Sequence, residues 1–359
     1  MTNITVFNNP DANGTPLQLS DAQQIGQGGE GTVYKSLIPG LTKAIAIKIF
    51  SAKKLESETD RNRLCKKIDA MVKMGHDDNR ALINFPKVAW PQISVYDQEG
   101  RFCGYGMRHA KGTPLTKLAH FKLYTKHFSD MDREKVANML IGLWESAKFL
   151  HDRKIYIGDV NPTNVLCTKK YGICWIDADS FQIEGFPCMV GRPEMTPPEH
   201  LDKNFSEIER NAESDRFSLA ILSFLCLMLG RHPYDNIGAS KPAENLRNGH
   251  FPYITGGAVP GTRGGVPKGP WHKIWSHYTY NIKGLFVNMF TGSRDPYDRP
   301  STEEWVNALH HYIKQLQRKE PAITESGEDF WHCRKMVPDT VKPPLRPPLK
   351  TSFNEKYRV

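Results

Sequence analysis

Three oxygen-bearing side chains stand at spacings that suit phosphoryl chemistry. Asp159 and Asn164 are five residues apart in Gly158-Asp159-Val160-Asn161-Pro162-Thr163-Asn164, and Asp177 follows in Trp175-Ile176-Asp177-Ala178-Asp179-Ser180-Phe181. One carboxylate can accept the proton of an attacking hydroxyl. An amide oxygen and a second carboxylate can complete a hard-oxygen Mg²⁺ site. Upstream, Lys48 interrupts the apolar run Ala44 to Phe50. An ammonium is expensive to bury unpaired in such a strand, and its chemical use is to grip phosphates. Further upstream lies Gly26-Gln27-Gly28-Gly29-Glu30-Gly31, then Thr32-Val33-Tyr34. Backbone without Cβ atoms can close over phosphates and offer N–H groups. Taken singly, each signal has a plainer use: glycines close hairpins, an edge lysine faces water, and Asp and Asn shape turns. Their joint order is what points to phosphate transfer. A strand pattern, not a helix, follows the glycines, and no Gly-Lys-Ser/Thr is present. Both facts argue against a dinucleotide fingerprint or a P-loop.

The elements that must position these groups change character along the chain. Residues 1 to about 20 read as a short strand with turns, and 25 to 49 as strands around a glycine-rich turn. Residues 56 to 74 have helical spacing through Leu64, Ile68, Met71 and Val72. Ile93–Tyr96 and Phe102–Met107 read as strands around Asp97-Gln98-Glu99-Gly100. After Gly112 the pattern is mainly helical: an amphipathic helix over 133–151, a helix apolar nearly all round over 215–229, and helices over 273–290 and 302–316. Residues 237–272, rich in Gly, Pro and Lys, read as a long loop. No internal repeat is present. A small β-rich part thus precedes a larger helical one, with a joint near 108–112 and a ligand cleft expected between them.

The bulk numbers narrow the class. The chain has 359 residues, 39% of them hydrophobic, enough for one two-lobed domain or two ordinary ones. Net charge is +9, which suits phosphate-bearing ligands or acidic partners, but no block of like charges favours nucleic acid. Seven scattered cysteines without a Cys-x-x-Cys read as reduced thiols. The N-terminus lacks an apolar signal core, and Phe217–Leu229 is too short to span a bilayer. The expectation is a soluble cytoplasmic protein without membrane or nucleic-acid contacts.

Together these motifs resemble the protein-kinase superfamily over roughly residues 20–316. The resemblance implies an α+β, two-lobed kinase-like fold with a small β-rich N-lobe and a larger helical C-lobe. The implied boundaries are an N-terminal extension at 1–19, a kinase domain at 20–317 (N-lobe 20–109, C-lobe 110–317) and a Pro-rich basic tail at 318–359. ATP and Mg²⁺ are the implied cofactors. Gly26, Gly28, Gly29, Gly31, Val33, Ala46, Lys48, Met107, Ala110 and Leu166 fall on ATP-binding positions, with Arg108 to Ala110 as a hinge offering backbone bonds to adenine. Asp159 falls on the catalytic aspartate, and Asn164 and Asp177 on metal ligands. Thr196-Pro197-Pro198-Glu199 resembles the A-P-E element, Asp215-Arg216-Phe217-Ser218 opens the buried helix, and Arg299 falls on the partner of Glu199. Glu199, Asp215 and Arg299 are implied as scaffold support, a feature that favours a protein substrate. The combination Asp-x-Asn-Pro-x-Asn with Asp-x-Asp-Ser-Phe-Gln-Ile is similar to a bacterial subgroup that includes the kinase of the tellurite-resistance-associated (TerY-phosphorylation) triad. That likeness implies a phosphatase and a von Willebrand A-like protein as partners.

Four departures from the pattern stand out. Gly158 replaces the arginine that binds a phosphorylated activation loop, so activity is expected without loop phosphorylation. Asn161 replaces the lysine that steadies the γ-phosphate, so either another cation substitutes or catalysis is slow. Ala178-Asp179 replaces Phe-Gly; Asp179 is a candidate second metal ligand, or the true one if the register shifts by two, and the spacing from Asn164 favours Asp177. The helix after Lys48 has Lys67 where the family spacing places a glutamate, and Glu56, Glu58 and Asp69 do not fit the lysine's partner. The expected function is an ATP- and Mg-dependent protein serine/threonine kinase. The alternatives are a pseudokinase acting as a nucleotide-responsive binding module, or transfer to a small molecule or of an unusual group.

Overall fold

A computed structural model describes residues 3–8, 16–37, 44–238, 241–253, 264–291, 295–318 and 333–338. The chain divides into two compact units, Met1–Gly112 with Cys174–Asp179, and Thr113–Ile173 with Ser180–Val359.

The first unit is built on a seven-stranded antiparallel sheet in the order β2-β1-β6-β7-β5-β4-β3. Its strands are β1 (Asn3–Phe7), β2 (Pro16–Ser20), β3 (Gln24–Gly28), β4 (Gly31–Ser36), β5 (Ile45–Phe50), β6 (Pro91–Tyr96) and β7 (Phe102–Arg108). The β1–β2 hairpin lies in the expected N-terminal extension, yet it joins the sheet through Phe7 opposite Tyr96. Val6, Leu17 and Leu19 are buried, so apolar alternation in this stretch serves the same core. Helix α1 (Glu58–His76), capped by Ser57 on the Asp60 amide, buries Ile68 and Met71, while the short α2 spans Ala81–Asn84.

A contiguous division of the chain leaves residues 174–179 in the helical part. The structure assigns them to the first unit. Trp175 forms a parallel bridge with Val88, donating to the Lys87 carbonyl at 2.8 Å and accepting from the Ala89 amide at 2.8 Å. This bridge carries Asp177 and Asp179 to the sheet that holds Lys48.

The second unit is helical. Its elements are α3 (Tyr124–His127), α4 (Arg133–His151), α5 (Ala212–Leu227), α6 (Pro242–Arg247), α7 (Trp271–Ser276), α8 (Tyr280–Thr291) and α9 (Thr302–Leu316), with a short pairing of β8 (Thr113–Pro114) and β9 (Val165–Cys167). Side-chain caps from Asp132, Asn211 and Ser301 start α4, α5 and α9. Helix α5 is buried along almost its whole length, as its apolar sequence requires. Phe224 sits in an aromatic cluster with Phe251, Tyr253, Trp275, Phe286 and Phe290, and Trp144 stacks on Trp305 at 5.0 Å. Among the described residues, no helix is long and apolar enough to cross a membrane.

Two readings of this part need correction. The stretch read as one long loop contains α6, which starts with Pro242 at its first position and buries Asn245 and Leu246. Parts of that loop, and the tail apart from Arg318 and residues 333–338, lie outside the described residues. The helix expected over 273–290 is broken between α7 and α8. Buried side-chain donors take the carbonyls there: Arg133 donates to Ile274 and His277, and Lys283 to Ser276.

Lys283 is 2% exposed, and burial, reinforced by Arg133, pulls its ammonium from 10.5 down to about 7. The unfolded chain therefore holds the extra proton between pH 7 and 10.5, and stability rises with pH across that window. The proton-linked cost is on the order of 4 kcal/mol at pH 7. His277, its neighbour, is held neutral down to about 4 by burial and then Arg133, so its window lies lower. Lys283→Met is expected to raise the melting temperature at pH 7, with the gain shrinking steadily toward pH 9.5. Thermal unfolding of both proteins across that range checks it.

Candidate active site

In the first unit, the β3–β4 hairpin pairs Gly26 with Val33 and Gly28 with Gly31, turning at Gly29-Glu30. Gly31 is required by packing, since a Cβ there would lie 2.2 Å from the Ile49 carbonyl oxygen. Nothing lies within 4 Å of the corresponding points at Gly28 and Gly29, so packing does not explain these two. Their bare backbone is open to a ligand.

Lys48 lies on β5, opposite Val33 on β4 and Tyr105 on β7. It is 4% exposed. Its Nζ reaches both Asp179 carboxylate oxygens at 2.9 and 3.0 Å, Asp177 Oδ1 at 3.1 Å and Glu30 at 4.0 Å. Tyr105 donates its hydroxyl to Asp179 Oδ1 at 2.7 Å. Burial acts to lower the Lys48 pKa, but Asp179 and then Asp177 outweigh it and hold the ammonium charged. Burial likewise acts to raise Asp179, and Lys48 outweighs it, with Tyr105 and Lys67 also favouring the carboxylate. Lys48 thus has its acid on the segment after β9 and not on α1, where Lys67 is buried. The two charges have exchanged places between helix and segment. No motif for a helix glutamate could have revealed this. The legible signal was the unexplained second carboxylate, Asp179, together with Tyr105 opposite Lys48 in the ladder.

Asp177 differs from Asp179. Its backbone is left-handed, with φ of 56°, and its side chain is 40% exposed against 3% for Asp179. A non-glycine residue held in that region is typical of functional sites. Ala46 pairs with Met107 and Ile45 with Arg108. His109 and Ala110 then leave the sheet, and among the described residues their backbone groups have no backbone partner.

In the second unit, the loop after α4 carries Asp159. Asn164 donates its amide to the Asp159 carbonyl at 3.1 Å and to Oδ2 at 3.0 Å. Asp159 Oδ1 is buried and has no hydrogen-bond partner among the described residues. Asn161 is fully buried and structural: its oxygen accepts from the Thr163 amide at 2.9 Å and its amide donates to the Asp159 carbonyl. Asp215 at the start of α5 anchors the loop. It accepts from the Ile157 and Gly158 amides at 2.7 and 2.8 Å and pairs with His151 at 2.9 Å. Arg299 grips both oxygens of Glu199 at 2.6 and 2.8 Å. Leu166, on β9 opposite Pro114, is nearly buried.

Gly158 has φ of +69°, and a Cβ there would lie 2.6 Å from Cys188 Sγ. The segment it touches is held by Arg210, which is 2% exposed, lies 3.4 Å from the Val190 carbonyl and from His200 Nδ1, and covers the Phe205 ring. Burial keeps His200 neutral down to about 4. Gly158→Ala is expected to cost about 2–4 kcal/mol, from the left-handed backbone and the overlap with Cys188. Urea unfolding should show the loss, and Cys188→Gly/Gly158→Ala should recover the steric share, since Cys188 Cβ also lies 2.7 Å from that point.

These two sets of residues, on a β-sheet unit and a helical unit of this order, define the class. The protein kinase domain family model matches residues 19–313, and the chain belongs to that family. It is 28% identical over 327 residues to protein kinase YegI of Escherichia coli K12, an overlap of 88% of this chain and 47% of that protein. It is 24% identical over 229 residues to serine/threonine-protein kinase PknF of Mycobacterium tuberculosis H37Rv, covering 60% of this chain and 43% of that protein. The chain spans less than half the length of these curated relatives.

Proposed function

We propose that this chain transfers the γ-phosphate of ATP to a serine or threonine hydroxyl of a protein. The observation that carries this reading is Asp159, whose Oδ2 is fixed by Asn164 while Oδ1 is buried without a partner among the described residues. A carboxylate oxygen so placed is costly unless a donor arrives, and a substrate hydroxyl is such a donor. Asp159 takes the hydroxyl proton. Lys48 grips the α- and β-phosphates, the amides at Gly28 and Gly29 cover them, and the free backbone at His109 and Ala110 bonds the adenine edge. The Asn164 amide oxygen and the Asp177 carboxylate are hard oxygen donors that fit Mg²⁺, which when bound neutralises phosphate charge. The Glu199–Arg299 pair and the Asp215 anchor support a rigid platform for a protein substrate.

Arg210, Cys188 and Gly158 hold the activation segment through packing and backbone bonds, which favours activity without a loop phosphate. A phosphatase and a von Willebrand A-like protein remain the proposed partners. Incubation with γ-labelled ATP, Mg²⁺ and partner proteins tests the reading. Label on Ser or Thr that disappears with Asp177→Asn supports it. Mg²⁺-dependent nucleotide binding without transfer would replace it with a binding module.

A further inference from the structure

The catalytic loop lacks the lysine that would steady the transferred phosphoryl group, and Asn161 cannot stand in for it. Asn161 is uncharged, fully buried, and spends its amide on the loop backbone. Phosphoryl transfer gathers charge on the equatorial oxygens, and a positioned cation there is a large catalytic term. Within the second unit, a replacement would come from a residue beside the loop of Asp159 and Asn164.

Arg192 does so. Its Nη2 donates to Thr163 Oγ1 at 3.1 Å. That hydroxyl has one proton to give, to Asn161 Oδ1 or to Asn164 Oδ1 at 3.2 Å, and Asn164 in turn holds Asp159. Arg192 is therefore two hydrogen bonds from Asn164 and three from the Asp159 carboxylate. It is exposed and, among the described residues, has no carboxylate partner, so its remaining N–H donors and its charge are uncommitted.

Its backbone is not loose. The Arg192 carbonyl accepts from Thr196 Oγ1 at 2.7 Å and from the Met195 amide at 2.9 Å. The turn it heads is fastened to the core: the Met195 carbonyl accepts from Ser218 of α5 at 2.7 Å, and the Glu194 carbonyl lies 2.8 Å from His232. A guanidinium on a fixed backbone, aimed at the loop that holds the base and lacking its own counter-ion, fits an oxyanion better than it fits solvent.

Resting on the proposed kinase activity, we infer that Arg192 is a catalytic residue that supplies the cation missing at Asn161. As the bond from the substrate oxygen to phosphorus forms, the bond from phosphorus to the β-bridging oxygen breaks. ADP leaves with that electron pair, and Asp159 takes the hydroxyl proton. Arg192 moves no proton; it donates hydrogen bonds to the phosphoryl oxygens while this exchange occurs.

The test compares the wild type with Arg192→Ala and Arg192→Lys, with Asp159→Asn as the inactive control. Arg192→Ala should lower kcat by about 10²–10³-fold. It should leave ADP affinity unchanged and weaken binding of ADP with aluminium fluoride, a mimic of the transferring group, by at least about tenfold. Arg192→Lys should recover part of both, and added guanidine should partly restore Arg192→Ala. An active wild type and dead Asp159→Asn, with Arg192→Ala within about threefold of wild type, would overturn the role of Arg192 alone. Equal losses for ADP and ADP with aluminium fluoride would also overturn it, since they mark a structural defect. A wild type that neither transfers phosphate nor binds the mimic more tightly than ADP would overturn both the role and the activity.

Discussion

Asp159→Asn is expected to lower turnover by about 10³-fold while leaving the fold and nucleotide affinity intact. The side chains are nearly isosteric, and the bond from Asn164 to the Asp159 carbonyl survives the change. The loop is positioned by Asp215 through the Ile157 and Gly158 amides, not by the Asp159 carboxylate. The loss therefore falls on proton acceptance. An amide oxygen is a poor base, and a buried acceptor facing a hydroxyl is then no longer able to take the proton. Steady-state transfer, beside nucleotide binding by calorimetry, separates the effects. A large drop in ATP affinity would show that Asp159 has a binding role.

The second large effect concerns Lys48 and Asp179. Asp179→Asn is expected to destabilise the first unit by about 3 kcal/mol, because it leaves a buried ammonium with the half-exposed Asp177 at 3.1 Å and Glu30 at 4.0 Å as its remaining carboxylates. It also weakens the acceptor of the Tyr105 hydroxyl. Lys48→Met should cost a similar amount, and the double variant should cost less than the sum by on the order of 2 kcal/mol. Chemical unfolding of the four proteins yields this coupling. Function supplies a second readout. If Asp179 positions Lys48, Asp179→Asn raises the KM for ATP at saturating Mg²⁺. If Asp179 instead ligates the metal, the Mg²⁺ concentration needed for half-maximal rate rises and the coupling to Lys48 is small. The two Asp179 carboxylate oxygens, both within 3.0 Å of Nζ and one also held by Tyr105, favour the first outcome.

Much of the scaffold was legible along the chain. The helix over 133–151 matches α4 residue for residue, because a strong amphipathic period ended by polar residues leaves one solution. The glycine hairpin and the strands flanking Asp97–Gly100 were equally local, since turn chemistry and alternation act over a few residues. The gap between α7 and α8 was not legible. It depends on the guanidinium of Arg133, some 140 residues earlier in the chain.

The motif of Asp159, Asn164 and Asp177 with Lys48 and the glycine turn was set by the sequence itself. Each residue needs only its type and its place in a loop or strand to suggest chemistry. The tertiary structure decided which acid serves Lys48 and which side chain of the catalytic loop Arg192 meets. A salt bridge between Lys48 and Asp179 closes over 131 residues, and the bond between Arg192 and Thr163 over 29. Such pairs are chosen by distance and burial, where an unpaired charge is costly, and not by spacing along the chain. A lysine on α1 and an aspartate on the segment read as two broken motif positions in the sequence. In the fold, the acid on the segment completes the ion pair that the helix no longer provides.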